Sequence, residues 1–391
     1  MEAFRESATK GFYLMRNRSM KGEIMSVHRQ LQFLVFLGLL MSAPSWAEYS
    51  NPESAIYDEA RKRYFVSNVG NGHLYEIDSL GVRRLYSTQS PWLLGMVIVG
   101  DTLFVTNRTY VRGFDLTTNT LVYTKYISGS SDLNDITADT SGYLYITGSS
   151  DQGVYRLHVA SGVNSKIVSG IYWPNGILFD AQENRLLMCS FGSNAPIRAI
   201  SLDGSSVSIV MTTSYTDLDG LTEDNDGNIY MSSWGSNSIY RVARDFTGTP
   251  IRVASGLNDP ADIYFDRVNN ILVSPNFHSN TVSFIDMDTD NDRVLDVDDN
   301  CPEDYNPDQE DTDGDGAGDS CEYVCGDANG DKGVNVGDAV YVITYVFKGG
   351  AAPDPVEAGD ASCDGTCNVG DAVYLVGYVF KGGAEPCAGC P

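Results

Sequence analysis

Between residues 50 and 286 the chain is built of short runs in which apolar and polar residues alternate, and the runs recur in a fixed order. A small or polar turn leads into an apolar run that closes on Asp. A turn with Gly or Asn follows, then a second apolar run that ends in Ser, Thr or a small residue. The second run reads YFVSN from Tyr64, LFVTN from Leu103, LYITG from Leu144, LLMCS from Leu186, IYMSS from Ile229 and ILVSP from Ile271. A third follows, as in HLYEID from His73, VYRLHV from Val154, SIYRVA from Ser238 and TVSFID from Thr281. Period-two alternation bounded by turn residues predicts half-buried antiparallel strands. The closing Asp falls at Asp58, Asp139, Asp180, Asp224 and Asp266, with the second copy blurred near Asp101. Spacings of about 41–44 residues are the period of a four-stranded blade. Six copies predict a six-bladed β-propeller, because a lone twisted sheet exposes both faces and its edges, and stacking blades around an axis buries them.

In such a ring the first strand of each blade lines the central channel, so equivalent residues on different blades converge. Five residues before each closing Asp stand Glu53, Asn134, Asn175, Asp219 and Ala261, with Gly95 or Met96 at the blurred position. Two carboxylates and two amide oxygens at equivalent points suit a hard divalent cation such as calcium, magnesium or manganese. The contexts PESAIYD, LNDITAD, PNGILFD and LDGLTED resemble the senescence marker protein, gluconolactonase and regucalcin-like family of six-bladed propellers over about 230 residues. The resemblance implies that Glu53, Asn134, Asn175 and Asp219 hold one divalent ion at the channel mouth. It also implies lactone ring opening, with Asp219 and Glu53 as the catalytic carboxylates. Asp132 stands where the family carries a substrate-binding Arg, which argues against the same sugar-acid lactone. Asn-Gly and Asp-Gly are also ordinary turn dipeptides, and blade five resembles an NHL repeat equally well. The alternative is therefore a non-catalytic NHL-like platform for protein or glycan recognition. His73, His158 and His278 lie in or near strands with no partner evident from the sequence.

Charge divides the chain. The formal net charge is −26, of which residues 1–47 contribute +3, residues 48–285 contribute −8 and residues 286–391 contribute −21. This balance excludes a nucleic-acid binder held by clustered Lys and Arg. From Asp286 the chain reads DMDTDNDRVLDVDDNCPEDYNPDQEDTDGDGAGDSC, with carboxylates at alternate residues that repel one another unless divalent cations neutralise them. The string resembles thrombospondin type-three repeats. That resemblance assigns calcium ligands to Asp288, Asp290, Asp292, Asp296 and Asp299, and in a second string to Asp311, Asp313, Asp315 and Asp319, with Cys301 and Cys321 bridged. A merely solvated acidic spacer is the alternative.

Residues 327–353 repeat at 360–386 with 18 identities in 27 positions. Oxygen donors at loop positions 1, 3, 5, 9 and 12 followed by an apolar helix describe an EF-hand lacking its first helix. The pair resembles a type I dockerin. Calcium ligands then fall on Asp327, Asn329, Asp331, Asn335 and Asp338, and on Asp360, Ser362, Asp364, Asn368 and Asp371. Lys332 occupies the sharp turn where Gly is preferred, and Ser362 replaces the usual Asn or Asp. The resemblance implies a cohesin-like partner read at Val336-Gly337 and Val369-Gly370, in either of two orientations because the copies are identical there. A calcium-stabilised cap that binds nothing is the alternative.

The apolar run LQFLVFLGLL at residues 31–40, preceded by Arg29 and followed by SAPSWA, reads as a signal peptide ending at Ala47, with Met15, Met20 and Met25 as alternative starts. Export allows disulfides and supplies calcium. Among the remaining cysteines, Cys325 paired with Cys387 or Cys390 would clasp the ends of the tail, whereas Cys189 inside a blade strand reads as a buried free thiol. The expected order is a signal peptide (1–47), a propeller (48–285), a calcium-binding spacer (286–322) and a small α-helical dockerin-like domain (323–391). The expected product is a secreted calcium-binding protein docked to a polysaccharide-degrading assembly or cell surface.

Overall fold

The computed structural model describes residues 49–311, 314, 316–318, 320, 321 and 323–386. The expected signal peptide, Asp313, Asp315, Asp319, Cys387 and Cys390 lie outside the described residues. The chain divides into two units. One runs to Val268 and adds Leu272–Phe284; the other comprises Asn269–Ile271 and the chain from Ile285.

The first unit is a six-bladed β-propeller. Five blades are four-stranded meanders in chain order, and the sixth has three strands among the described residues. The inner strands are Pro52–Asp58, Leu93–Val99, Ile136–Ala138, Pro174–Asp180, Leu218–Glu223 and Tyr264–Asp266. Each lies beside the next, and the last lies beside the first. The ring closes where Ser54 pairs in parallel with Asp262 and the Asp262 N–H donates to the Glu53 carbonyl at 2.8 Å.

Alternation along the strands places large apolar side chains between blades. Phe65, Leu74, Leu93, Leu103 and Phe114 fill the contact between the first two blades, and Leu144, Ile146, Tyr155 and Leu157 the next. Each such side chain contributes about 1.5–3 kcal/mol by leaving water. The outermost strands are half-solvated, with Leu121, Val207 and Ile209 exposed.

The Asp residues that mark the period cap the inner hairpins. Asp139 Oδ1 accepts from the Ser141 and Tyr143 N–H groups at 2.8 and 2.9 Å, and Asp224 Oδ1 does the same for Asp226 and Asn228. Blade two is different. Its hairpin pairs Val99 with Thr102, whereas Asp58 pairs with Arg63, so the loop is two residues shorter and Asp101 sits at its tip. By ladder position the blade-two equivalent of Glu53 is therefore Leu94, not Gly95 or Met96, since Pro52 pairs with Asn68 as Leu93 pairs with Asn107.

In the second unit, Cys301 and Cys321 are disulfide-bonded. Two helices follow, α1 (Val336–Lys348) and α2 (Val369–Lys381). Asn335 and Asn368 cap them in reciprocal boxes with Asp338 and Asp371, and Gly349 and Gly382 end them in the left-handed conformation at φ 65° and 64°. Their shared core is Ala328, Ala339, Val342, Ala361, Ala372 and Leu375. Cys325 and Cys363 each take part in a disulfide as well.

Candidate metal centre

Stepping around the channel at the level of Glu53 gives Glu53, Leu94, Asn134, Asn175, Asp219 and Ala261, so four blades present oxygen and two present hydrocarbon. A β-bulge creates this level. In blades one, two, four and five the ladder skips one residue on the inner strand, between Pro52 and Ala55, Leu93 and Met96, Pro174 and Ile177, and Leu218 and Leu221. A bulge breaks the strict alternation and re-aims side chains. The dipeptides Asn175-Gly176 and Asp219-Gly220 therefore lie in strands, not in turns. A Cβ on Gly176 would stand 2.2 Å from the Asp219 carbonyl oxygen, and one on Gly220 2.4 Å from the Ile263 nitrogen. Glycine is present because neighbouring inner strands touch there.

Four of the six residues at the Glu53 level are tied to the preceding blade through their carbonyls, each by a side chain. Thr106 Oγ1 donates to Asn134 O at 2.6 Å, Thr147 Oγ1 to Asn175 O at 2.7 Å, and Ser232 Oγ to Ala261 O at 2.7 Å. Cys189 Sγ donates to Asp219 O at 3.1 Å. The Ser or Thr that recurs near the end of the second strand is this tie. Cys189 is a buried free thiol in the same position, and burial pushes its pKa well up.

The side chains are less satisfied than the backbone. Glu53 Oε2, Asn134 Oδ1 and Asn175 Oδ1 are buried with no hydrogen-bond partner among the described residues. Asn134 Nδ2 donates to Ser149 Oγ at 3.1 Å, which fixes its amide. Burial and then the Asp219, Asp262 and Asp135 charges raise the Glu53 pKa well above the carboxylate range. Asp219 is raised by burial and by Asp262, and the Trp234 indole and Asn175 amide facing it offset part of the rise. The Trp234 N–H does so without closing a hydrogen bond of ordinary geometry.

One residue further along the strands lies a pair that the sequence reading missed. Asp135 Oδ1 and Oδ2 accept from the Ile136 and Ile177 N–H groups, each at 2.6 Å. Asp262 Oδ2 accepts from Ser54 Oγ at 2.6 Å. Blade one carries Ser54 at this level and blades two, four and five carry Gly95, Gly176 and Gly220, and a Cβ on Gly95 would strike Asp135 Oδ1 at 2.4 Å. Burial pushes Asp262 up to about 7, against its bonds to Ser54 and Asp135, and Asp135 is raised by burial and by Asp262. Four buried carboxyl groups thus share one channel without a protein cation to balance them among the described residues, and such charges are stable only when protonated or neutralised.

Asp132 is fastened to the adjacent hairpin, accepting from Ser150 N and Oγ at 3.1 and 2.7 Å. The three histidines among the described residues have partners: His73 meets the Tyr75 hydroxyl and His158 the Ser161 hydroxyl, both at 2.9 Å. His278 Nδ1 lies 2.5 Å from Asp259 Oδ2.

In the second unit, carboxylate oxygens of Asp288, Asp290 and Asp292 lie within 4.8 Å of one another. Asp290 Oδ2 and Asp299 Oδ2 are buried without a partner among the described residues. Asp296 instead accepts from Thr289 N and Oγ1 at 2.7 and 2.6 Å, and Asp311 from Gly314 N at 2.7 Å. The duplicated loops are near copies. Asp327 accepts from Asp331 N and Lys332 N, as Asp360 does from Asp364 N and Gly365 N. Asp338 accepts from Asn329 N and Asn335 N, as Asp371 does from Ser362 N and Asn368 N. Lys332 is left-handed at φ 64° where the second loop has Gly365. Val336 and Val369 are exposed, each beside a glycine whose N–H donates to the cap at 2.8 Å.

Residues 51–265, more than half of the chain, match the family model described as SMP-30/Gluconolactonase/LRE-like region. Among solved structures the chain is similar to a calcium-binding protein, regucalcin, from Agrobacterium tumefaciens, at 18% identity over 58% of this chain and 82% of that one, with a TM-score of 0.49. It is also similar to a virginiamycin B lyase from Staphylococcus aureus, at 13% identity over 60% and 84%, with a TM-score of 0.47. A streptogramin B lyase gives 14% identity over 62% and 84%, with a TM-score of 0.48. No curated protein sequence matches.

Proposed function

The chain belongs to the SMP-30/Gluconolactonase/LRE-like family, and from that premise we propose that its propeller is a divalent-metal-dependent, lactonase-like hydrolase. The observation that carries this reading is the set of buried oxygens on Glu53, Asn134 and Asn175 that have no partner among the described residues, beside the buried Asp219 carboxylate. Unpaired buried acceptors cost about 1–3 kcal/mol each, and hard oxygen donors converging from four blades fit a calcium-class ion. When bound there, the ion supplies positive charge that polarises a carbonyl and makes water more acidic. The chain's own residues do the rest. Ser149 fixes the Asn134 amide, the Thr106, Thr147 and Cys189 ties fix the backbone, and Glu53 or Asp219 takes the proton that attacking water loses.

The tail is read as a calcium-dependent docking module in an exported protein. Asp288, Asp290 and Asp292 form the spacer site, the paired loops hold one calcium each, and Val336, Gly337, Val369 and Gly370 meet a cohesin-like partner. A non-catalytic recognition propeller remains the second reading, favoured by Asp132, which is fastened to Ser150 instead of serving a substrate.

The test is hydrolysis of a lactone panel by the full chain with calcium or manganese, against chelator and against Glu53→Gln. Metal-dependent turnover lost in the variant supports the hydrolase. Turnover indifferent to chelator and to the substitution, or none with any metal, ends it.

A further inference from the structure

The rim of the channel has two faces. Immediately after each second strand the chain reads Val69, Arg108, Ser149, Phe191, Trp234 and Phe277 on blades one to six. Blades four to six therefore carry three aromatic residues in succession at one register position. They form a continuous wall: Phe191 meets Trp234 at 5.3 Å between ring centroids, and Trp234 meets Phe277 at 5.1 Å. Each is hung from the residue two before the site level, since Phe191 N, Trp234 N and Phe277 N donate to the carbonyls of Trp173, Asp217 and Asp259 at 2.9–3.0 Å. Trp234 also faces Asp219, so the wall abuts the oxygen donors.

The supporting position is strained. Asn51, Trp92, Trp173, Asp217 and Asp259 are all left-handed, with Trp92 at φ 77° and Trp173 at φ 39°. Asn and Asp tolerate this conformation, but a bulky side chain there is an outlier that is retained where it serves a purpose. Trp173 is 42% exposed and its neighbour Tyr172 63% exposed, so the strain does not serve burial of the ring. The Trp173 carbonyl accepts the Phe191 N–H at 2.9 Å, and its indole stays partly open to solvent. Carboxylates outnumber basic groups around this wall, with Asp217 and Asp259 on its support and Glu53, Asp135, Asp219 and Asp262 in the channel, against Arg198 at Ser190 and His278 at Asp259. An anionic substrate is repelled; a neutral one is not.

We propose that Trp173, Phe191, Trp234 and Phe277 form a substrate-orienting subsite, and that the substrate is an uncharged lactone or ester bearing a flat apolar ring, not a sugar acid. This rests on the hydrolase reading for its chemistry alone. Water adds its oxygen to the acyl carbon, the acyl C–O bond breaks, and the proton passes to the departing alkoxide to give the hydroxy acid. Ring faces stack on the wall, and each aromatic contact adds to simple burial.

The experiment compares two six-membered lactones of opposite surface, dihydrocoumarin and δ-gluconolactone, on the full chain with calcium or manganese, in wild type, Phe191→Ala and Phe277→Ala. The expected result is a higher kcat/KM for dihydrocoumarin, with KM for it raised about tenfold in each variant, kcat little changed and δ-gluconolactone unaffected. A preference for δ-gluconolactone, or variants that leave the dihydrocoumarin KM in place, overturns the subsite. If neither lactone is hydrolysed, the hydrolase reading has failed, and the subsite is decided separately by quenching of tryptophan fluorescence with the lactam analogue of dihydrocoumarin. Saturable quenching weakened about tenfold by Phe277→Ala sustains it; non-saturable quenching identical in all three proteins overturns it.

Discussion

Without a divalent ion, the propeller should lose stability as pH rises, the reverse of ordinary acid denaturation. Asp262 is fully enclosed and its pKa is pushed up to about 7, from 3.8 in the open chain. The folded propeller therefore keeps this proton where the unfolded chain has released it. Stability tied to that proton is complete below the unfolded value and is lost as pH rises through the folded one. The difference amounts to about 4 kcal/mol in all, of which about 3 kcal/mol falls between pH 5 and pH 8. Glu53, Asp135 and Asp219 are raised by the same burial and add in the same direction. Three of the four tryptophans, Trp92, Trp173 and Trp234, lie in the propeller and none lies in the acidic tail, so urea unfolding of the full chain followed by tryptophan fluorescence reports on the propeller and not on the tail. In chelator the midpoint should drop by roughly 1 M or more between pH 5 and pH 8, taking an m-value near 2–3 kcal/mol/M. Saturating calcium or manganese should restore it at pH 8. A midpoint that stays level or climbs over this range in chelator would refute the reasoning, because the four carboxyl groups would then not be suffering from one another's charge.

Replacing Lys332 by Gly removes a side chain from a left-handed backbone and should raise the stability of the helical tail by about 1 kcal/mol, seen as a higher midpoint in far-ultraviolet circular dichroism at 222 nm; an unchanged or lower midpoint counts against that strain. Chelation of the whole protein at pH 6 should reduce the helix signal of α1 and α2 while tryptophan emission stays native, and simultaneous loss of both signals would contradict the separation into units. Asp290→Ala, which removes the middle carboxylate of the Asp288, Asp290 and Asp292 cluster, should abolish one calcium equivalent in equilibrium dialysis; an unchanged stoichiometry would place that ion elsewhere.

The ring was legible because every blade repeats its alternation and its capping Asp, so one period could be counted against another. Blade two escaped because its hairpin is shorter, and Asp101, at the tip of a two-residue loop, is not the ladder-end residue that Asp58 is. The residues Glu53, Asn134, Asn175 and Asp219 could be picked out by stepping back from that marker, although alternation says nothing of the bulge at Glu53, Asn175 and Asp219. Asp135 and Asp262 were not found, since each looks in sequence like one more acidic residue in an acidic chain. The Gly95, Gly176 and Gly220 that share their level were the available signal. The aromatic wall was readable in principle as the residue after each second strand, but Phe191, Trp234 and Phe277 belong to one surface only once blades four to six are adjacent.

The central claim is that Glu53, Asn134, Asn175 and Asp219 bind one ion, and terbium luminescence tests it most directly in the full chain. Excitation at 295 nm selects tryptophan, and Trp234 faces Asp219, so an ion held by the four donors is sensitised and its signal is identified by the variants. The account predicts one saturable phase of sensitised emission that calcium displaces and that Asn175→Ala and Glu53→Gln each abolish. Absence of that emission in the folded wild-type chain, or its survival in both variants, would contradict the account.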